Sequence, residues 1–238
     1  MKSIIRKFLS LSLAVVLAAA PLNAFASDAP GGDLTRSNVE VNERTKLNAG
    51  TFWSNTYSDL RQENYVVYEP NRSVKPIVSS GSYSTQLSTV SAAARTLEAD
   101  GYRVVAGING DYYDTANGIA LGSVMSEGVF RNISGSYYAL GFYDDGTAVM
   151  GKPNLRNNAE TDRGSTFGIT AMNYVRQTSF GIFLYDDSFN ARGTIGTSEP
   201  GLDVICSVDR GELGIGEELT LRVENIVESG VDTAVGQG

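Results

Sequence analysis

Tyr102-Arg103-Val104-Val105-Ala106-Gly107-Ile108 runs directly into Asn109-Gly110-Asp111-Tyr112-Tyr113-Asp114. The first seven residues are apolar and β-branched enough to predict a central, buried strand. The turn that follows carries a carboxamide, a carboxylate, two phenols and a second carboxylate. A rigid strand end that presents such groups is a natural place for a binding or catalytic cleft.

Working outward from this segment, the N-terminal side predicts one amphipathic helix. Val90, Ala93, Ala94 and Leu97 fall on one face, Ser88 is placed to cap the start, and Gly101 supplies the stop. Further upstream, Tyr65 to Tyr68 reads as a strand closed by Glu69-Pro70-Asn71, and Lys75 to Val78 as a short edge strand. Downstream, Gly122–Met125 and Val129–Arg131 flank the turn Ser126-Glu127-Gly128. Tyr137–Tyr143 and Thr147–Met150 flank Asp144-Asp145-Gly146, a strong hairpin signal. Gly181–Tyr185, Leu202–Val208 and Leu219–Val227 complete the strands. One helix among eight or more strands predicts an α+β fold, a strand-rich mixed sheet. The alternating strand Leu219–Val223 needs neighbours, so the fold is expected to be incomplete at the C-terminus and to continue past Gly238.

The N-terminus sets the compartment. Lys2, Arg6 and Lys7 precede an apolar run from Phe8 to Ala20, then Pro21 and Ala24-Phe25-Ala26. This order is that of a secretory signal with cleavage after Ala26, and the run is shorter than the roughly 20 residues that span a bilayer. The expected organisation is signal peptide over residues 1–26, polar linker over 27–50 and one domain over 51–238. The protein is expected to be secreted or associated with the cell surface, without a stable membrane span after cleavage.

Charge and missing residue types narrow the chemistry. The net charge of −8 becomes −11 once a leader with three basic and no acidic residues is removed. A surface this acidic argues against nucleic acid as a partner. No histidine is present, which excludes Ser-His-Asp and Cys-His triads and His-based zinc sites. The lone Cys206, in Val204-Ile205-Cys206, reads as a small buried hydrophobe. Acid–base work therefore falls to Asp, Glu, Tyr or Lys, with carboxylates foremost.

Asn109 and Asp111 suit sugar hydroxyls, and Tyr112 or Tyr113 a sugar face; the same residues also fit an ordinary Asn-Gly turn. Asp111, Asp114, Asn117 and Gly118 form an oxygen-rich run whose spacing misses the EF-hand order. No cofactor is expected, with a divalent cation such as calcium left open. Asn71-Arg72-Ser73 and Asn132-Ile133-Ser134 are glycosylation sequons by pattern alone.

The segment Ala106 to Tyr112, then Gly118 to Val124 and Glu127-Gly128, resembles the opening of the phosphodiester glycosidase family. That family includes the N-acetylglucosamine-1-phosphodiester alpha-N-acetylglucosaminidase, to whose catalytic domain the chain is similar. Leu140-Gly141-Phe142 with Asp145-Gly146-Thr147 fits too, as does Asn173 to Arg176 leading into Gly181–Tyr185, so the resemblance spans roughly Leu97 to Val227. Asp111-Tyr112 is more polar than the family's usual pair. The later family motifs, an Arg before Ala-x-Gly and an Asp-Gly-Arg, are expected beyond Gly238, so this portion alone is not expected to be fully active.

The resemblance implies hydrolysis of a sugar–phosphate bond, with a carbohydrate or sugar phosphate as the partner. It maps Asn109, Gly110 and Tyr112 to the site loop, Gly122 to the glycine lining it, and Asn173 and Arg176 to a second substrate-binding segment. An oxocarbenium-like transition state calls for a carboxylate, for which Asp111 comes first and Asp114 second. A cation beside the departing phosphate would be Arg176 or Arg103. A glycan- or wall-polymer-binding domain without catalysis is the alternative.

Overall fold

The computed structural model describes residues 30–135, 137–176, 181–197, 199–229 and 232–235. The expected signal peptide lies outside the described residues. The chain divides into two compact units, one of residues 1–40 and 46–67, the other of residues 41–45 and 68–238.

Strands β1 (Pro30–Asn42), β2 (Thr45–Ser54) and β3 (Asp59–Tyr68) form a three-stranded sheet in that order. Residues 30–42 and 45–50 of the stretch expected as a polar linker are therefore strand, joined by a turn at Glu43-Arg44. Its composition is polar, but Val39 and Val41 alternate with Glu40 and Asn42, a period-two signal that bulk polarity hid. Within the first unit, the turn after β2 is tied by the Tyr57 amide donating to the buried Ser54 Oγ at 3.3 Å, and Arg61 lies over the Tyr57 ring at 4.3 Å.

The second unit is α+β: one helix among short sheets. Helix α1 (Val90–Ala99) starts one residue later than expected, because Thr89 rather than Ser88 caps it, its hydroxyl accepting from the Ala92 amide at 3.2 Å. The antiparallel pairs are β4 (Val124–Ser126) with β5 (Val129–Asn132), β6 (Ala139–Phe142) with β7 (Ala148–Gly151), β8 (Asn158–Glu160) with β9 (Thr166–Gly168), and β12 (Gly201–Arg210) with β13 (Thr220–Ser229). Strands β10 (Ala171–Met172) and β11 (Phe183–Leu184) are parallel. The expected hairpins at 126–128 and 144–146 are present.

Two expected strands are not. Residues 102–108 form no strand and pair with none among the described residues, and Ile108 is 80% exposed. An apolar run becomes a central strand only when neighbouring strands offer it backbone partners. Here the segment lies beside α1 instead, so close that a Cβ on Gly107 would stand 2.6 Å from Val90 Cγ1. Lys75 to Val78 is likewise coil; Pro76 lacks the N–H a ladder needs.

The core is small: Phe130, Ile133 and Met172 pack together, flanked by Met125, Leu155, Leu184 and Leu213. Ile119 and Phe189 are also fully enclosed. Ile133 exchanges both main-chain bonds with Met172, at 3.0 and 2.9 Å, which couples β5 to β10. Cys206 is only half-buried in β12, and burial raises its thiol pKa, with Glu224 adding to the shift.

Candidate functional site

The loop from Asp111 to Gly122 is built on its own carboxylates. Asp111 has a φ of 46°, an uncommon left-handed conformation that Asp tolerates better than most residues. Its Oδ1 accepts from the Tyr112 amide at 2.6 Å and its Oδ2 from the Gly122 amide at 2.8 Å. Asp114 accepts from the Ala116 amide and from Asn117 Nδ2, both at 2.8 Å, and Asn117 Oδ1 accepts from the Ile119 amide. These bonds make Asp114 to Ile119 a self-capped turn, and Tyr113 bridges Ala120 across it. Among the described residues, no group of three or more Asp, Glu, Cys or His is placed to share a metal ion.

The return limb of the loop is gripped from β5. Asn132, almost wholly buried, donates to the carbonyls of Ala120 (3.2 Å) and Gly122 (2.9 Å) and accepts from the Val124 amide. Ser134 Oγ donates to Leu121 O at 2.6 Å. The pair that reads in sequence only as a sequon is thus the clamp on the site loop. Nothing local marks it; its partners lie 8 to 13 residues away.

The second expected segment meets the same strand from the other side. Asn173 is fully buried at a φ of 49°. Its Nδ2 donates to Arg131 O (2.9 Å), Asp186 Oδ1 (2.8 Å) and Ser188 Oγ (3.2 Å), and its Oδ1 accepts from the Asp186 amide. Arg131 and Asn132 are adjacent, so one strand ties Gly122 and Asn173 together. Asn173 itself is structural, enclosed with no surface for substrate.

Tyr174, next along, was not singled out by the sequence. Burial raises its phenol pKa, and the charges of Asp114 and then Tyr137 add to the shift.

Arg176 stands elsewhere in the network. Its guanidinium forms a 3.0 Å ion pair with Asp203 of β12, both side chains about 11% exposed, and also donates to Glu199 O. Asp203 Oδ2 accepts from Thr233 Oγ1 at 2.6 Å. The expected role as a substrate-facing cation is thus replaced by a buried structural pair. Asn109 and Gly110 are exposed, and a Cβ on Gly110 would meet open space, so packing does not require glycine there. The Tyr112 side chain is 82% exposed while its carbonyl accepts from the Leu121 amide. Arg103 is exposed on the segment leading into Asn109.

The arrangement therefore joins Asp111, Asp114 and Gly122 in one loop held from β5, with Tyr112 and Tyr113 outward, and it diverts Asn173 and Arg176 to scaffolding. Carboxylates beside exposed phenols suit hydroxyl-rich ligands, with acid groups to take hydroxyl protons and rings to cover apolar faces. No family model, curated protein or solved structure matches this chain.

Proposed function

We propose that this chain is a secreted glycosidase acting on sugar-1-phosphodiester linkages in glycans or in cell-wall or capsular polymers. The observation that carries the reading is the Asp111–Gly122 contact. Two positions of the resemblance, eleven residues apart, meet through a 2.8 Å hydrogen bond that holds a carboxylate in one orientation beside exposed aromatic rings. A positioned carboxylate is what an oxocarbenium-like transition state requires, either to stabilise it or to attack it. We assign that part to Asp111 and a supporting part to Asp114.

Phosphate leaves readily, so strong protonation of the leaving group matters less than stabilising its charge. With Arg176 committed to Asp203, we assign that charge to Arg103, the exposed arginine preceding Asn109. Asn109 and Tyr112 take the sugar hydroxyls and ring face. The test is release of free sugar from a panel of sugar-1-phosphodiesters by the full-length gene product. Asp111→Asn, which keeps the side-chain shape, should slow release about 10²–10⁴-fold. No release from any sugar in the panel sinks the hydrolase.

The engagement of Arg176 and Asn173 favours a second reading, a wall-polymer or glycan-binding domain without chemistry. It predicts retention on the polymer, lost in Tyr112→Ala, with no product formed.

A further inference from the structure

A separate hollow of about 630 Å³ lies in the second unit and shares no residue with the loop just described. Three cations line it, Arg44, Arg72 and Lys75, together with the carboxylates of Asp144 and Asp145. Three converging positive charges are unusual for a chain of net charge −8. Among the described residues none of the three is in an ion pair; the salt bridges are made by Arg36, Lys46, Arg176 and Arg222 instead.

The walls are fixed in advance. Asn71 forms the floor: its Oδ1 accepts from the amides of Ser73 (3.0 Å) and Val74 (2.9 Å), and its Nδ2 donates to Glu69 O (2.9 Å) and to the buried Thr45 hydroxyl (3.3 Å). That turn sets the main chain carrying Arg72 and Lys75. Arg44 is held by donation from its guanidinium to Pro70 O at 2.9 Å, and its carbonyl accepts from the Glu69 amide at 2.8 Å. The opposite wall is the turn between β6 and β7. Gly146, buried at a φ of +84°, lies against Tyr68, and a Cβ there would fall on the tyrosine hydroxyl. Asp145 accepts from the Thr147 amide at 2.8 Å, which lowers its carboxyl pKa and keeps it charged.

Cations alone would favour any anion. Two carboxylates in the same hollow repel a bare anion and reward one that brings hydroxyl donors beside its charge. A volume of this size holds a sugar of one or two rings. We propose that this hollow binds an anionic saccharide, its charged group between Arg72, Lys75 and Arg44 and its hydroxyls donating to Asp144 and Asp145.

This site does not depend on catalysis at Asp111. Its test is calorimetric titration of the full chain with glucose 6-phosphate, glucuronate, inorganic phosphate and glucose. The phosphorylated sugar or the uronate, or both, should bind about tenfold or more tightly than glucose, and more tightly than inorganic phosphate. Which of the two binds identifies the anionic group. Arg72→Gln with Lys75→Gln should abolish this binding at an unchanged melting temperature, since both side chains are exposed. Asp144→Asn with Asp145→Asn should bring inorganic phosphate level with the sugar phosphate. Equal affinity for glucose and the charged sugars, a preference for bare phosphate, or undiminished binding by the folded Arg72/Lys75 variant would each overturn the assignment.

Discussion

The carboxylate of Asp111 occupies the space a side chain on residue 122 would need. A Cβ built on Gly122 stands 2.6 Å from Asp111 Oδ2, the same oxygen that accepts the Gly122 amide. The glycine is required by close approach, and the acid by the amide it satisfies. Gly122→Ala should therefore cost about 1–3 kcal/mol in urea unfolding, the usual penalty for overpacking. Adding Asp111→Ala to Gly122→Ala should recover part of that loss, giving a non-additive double-mutant cycle. Simple additivity would mean that the two residues do not touch.

Asn173 makes the same case for scaffolding. It contributes four hydrogen bonds from a fully buried side chain, and its left-handed φ of 49° suits Asn better than Ala. Asn173→Ala should destabilise by about 2–4 kcal/mol, from the lost bonds plus backbone strain. Asn173→Gly relieves the strain but not the lost bonds, so it should fall between Ala and the parent. Equal stability of all three by denaturant titration would refute a knot at this position.

The local signals in the sequence were readable because their physics is local. Val90, Ala93, Ala94 and Leu97 mark α1 whatever surrounds it, and Asp144-Asp145-Gly146 joins two strands that are adjacent in sequence and pair with each other. Tyr102 to Ile108 failed because burial of a central strand depends on partners far along the chain. For the site, Asp111 and Gly122 were named and do meet. Asn132 and Ser134 were passed over, since a buried Asn that bonds carbonyls 10 and 12 residues away has no signature in its own neighbourhood. The pairing of Arg176, expected as a substrate-binding cation, has no local signal because Asp203, its partner, lies 27 residues downstream.

That partner makes Arg176 separable from substrate. Removing one member of a largely buried pair strands the other charge, so Arg176→Ala and Asp203→Ala should each cost about 3–5 kcal/mol. The double variant should cost less than the sum of the two. Any rate loss in Arg176→Ala should then follow the folded fraction, with KM for a sugar phosphodiester unchanged in the molecules that remain folded. A raised KM in fully folded protein would return Arg176 to the substrate.

Tyr185 gives the pH dependence. Its hydroxyl is buried without a partner at hydrogen-bonding geometry among the described residues, and its ring meets Phe189 edge-on at 4.9 Å. Burial pushes its pKa up from about 10 to about 12, against a smaller lowering by Arg176. The folded chain thus holds this proton more tightly than the unfolded one. Stability from the neutral phenol is complete below pH of about 10 and declines as the pH rises towards 12. With allowance for solvent screening of a partly exposed group, the loss is on the order of 1–2 kcal/mol. Tyr185→Phe keeps the ring contact and omits the unpartnered hydroxyl, so it should match the parent at neutral pH within about 1 kcal/mol. Tyr102 and Tyr174 also have raised phenol values and titrate in both proteins, which makes the difference between parent and variant the quantity to measure. Chemical denaturation across the alkaline range should show the variant gaining on the parent above pH of about 10. Parallel curves would mean that the Tyr185 hydroxyl is solvated.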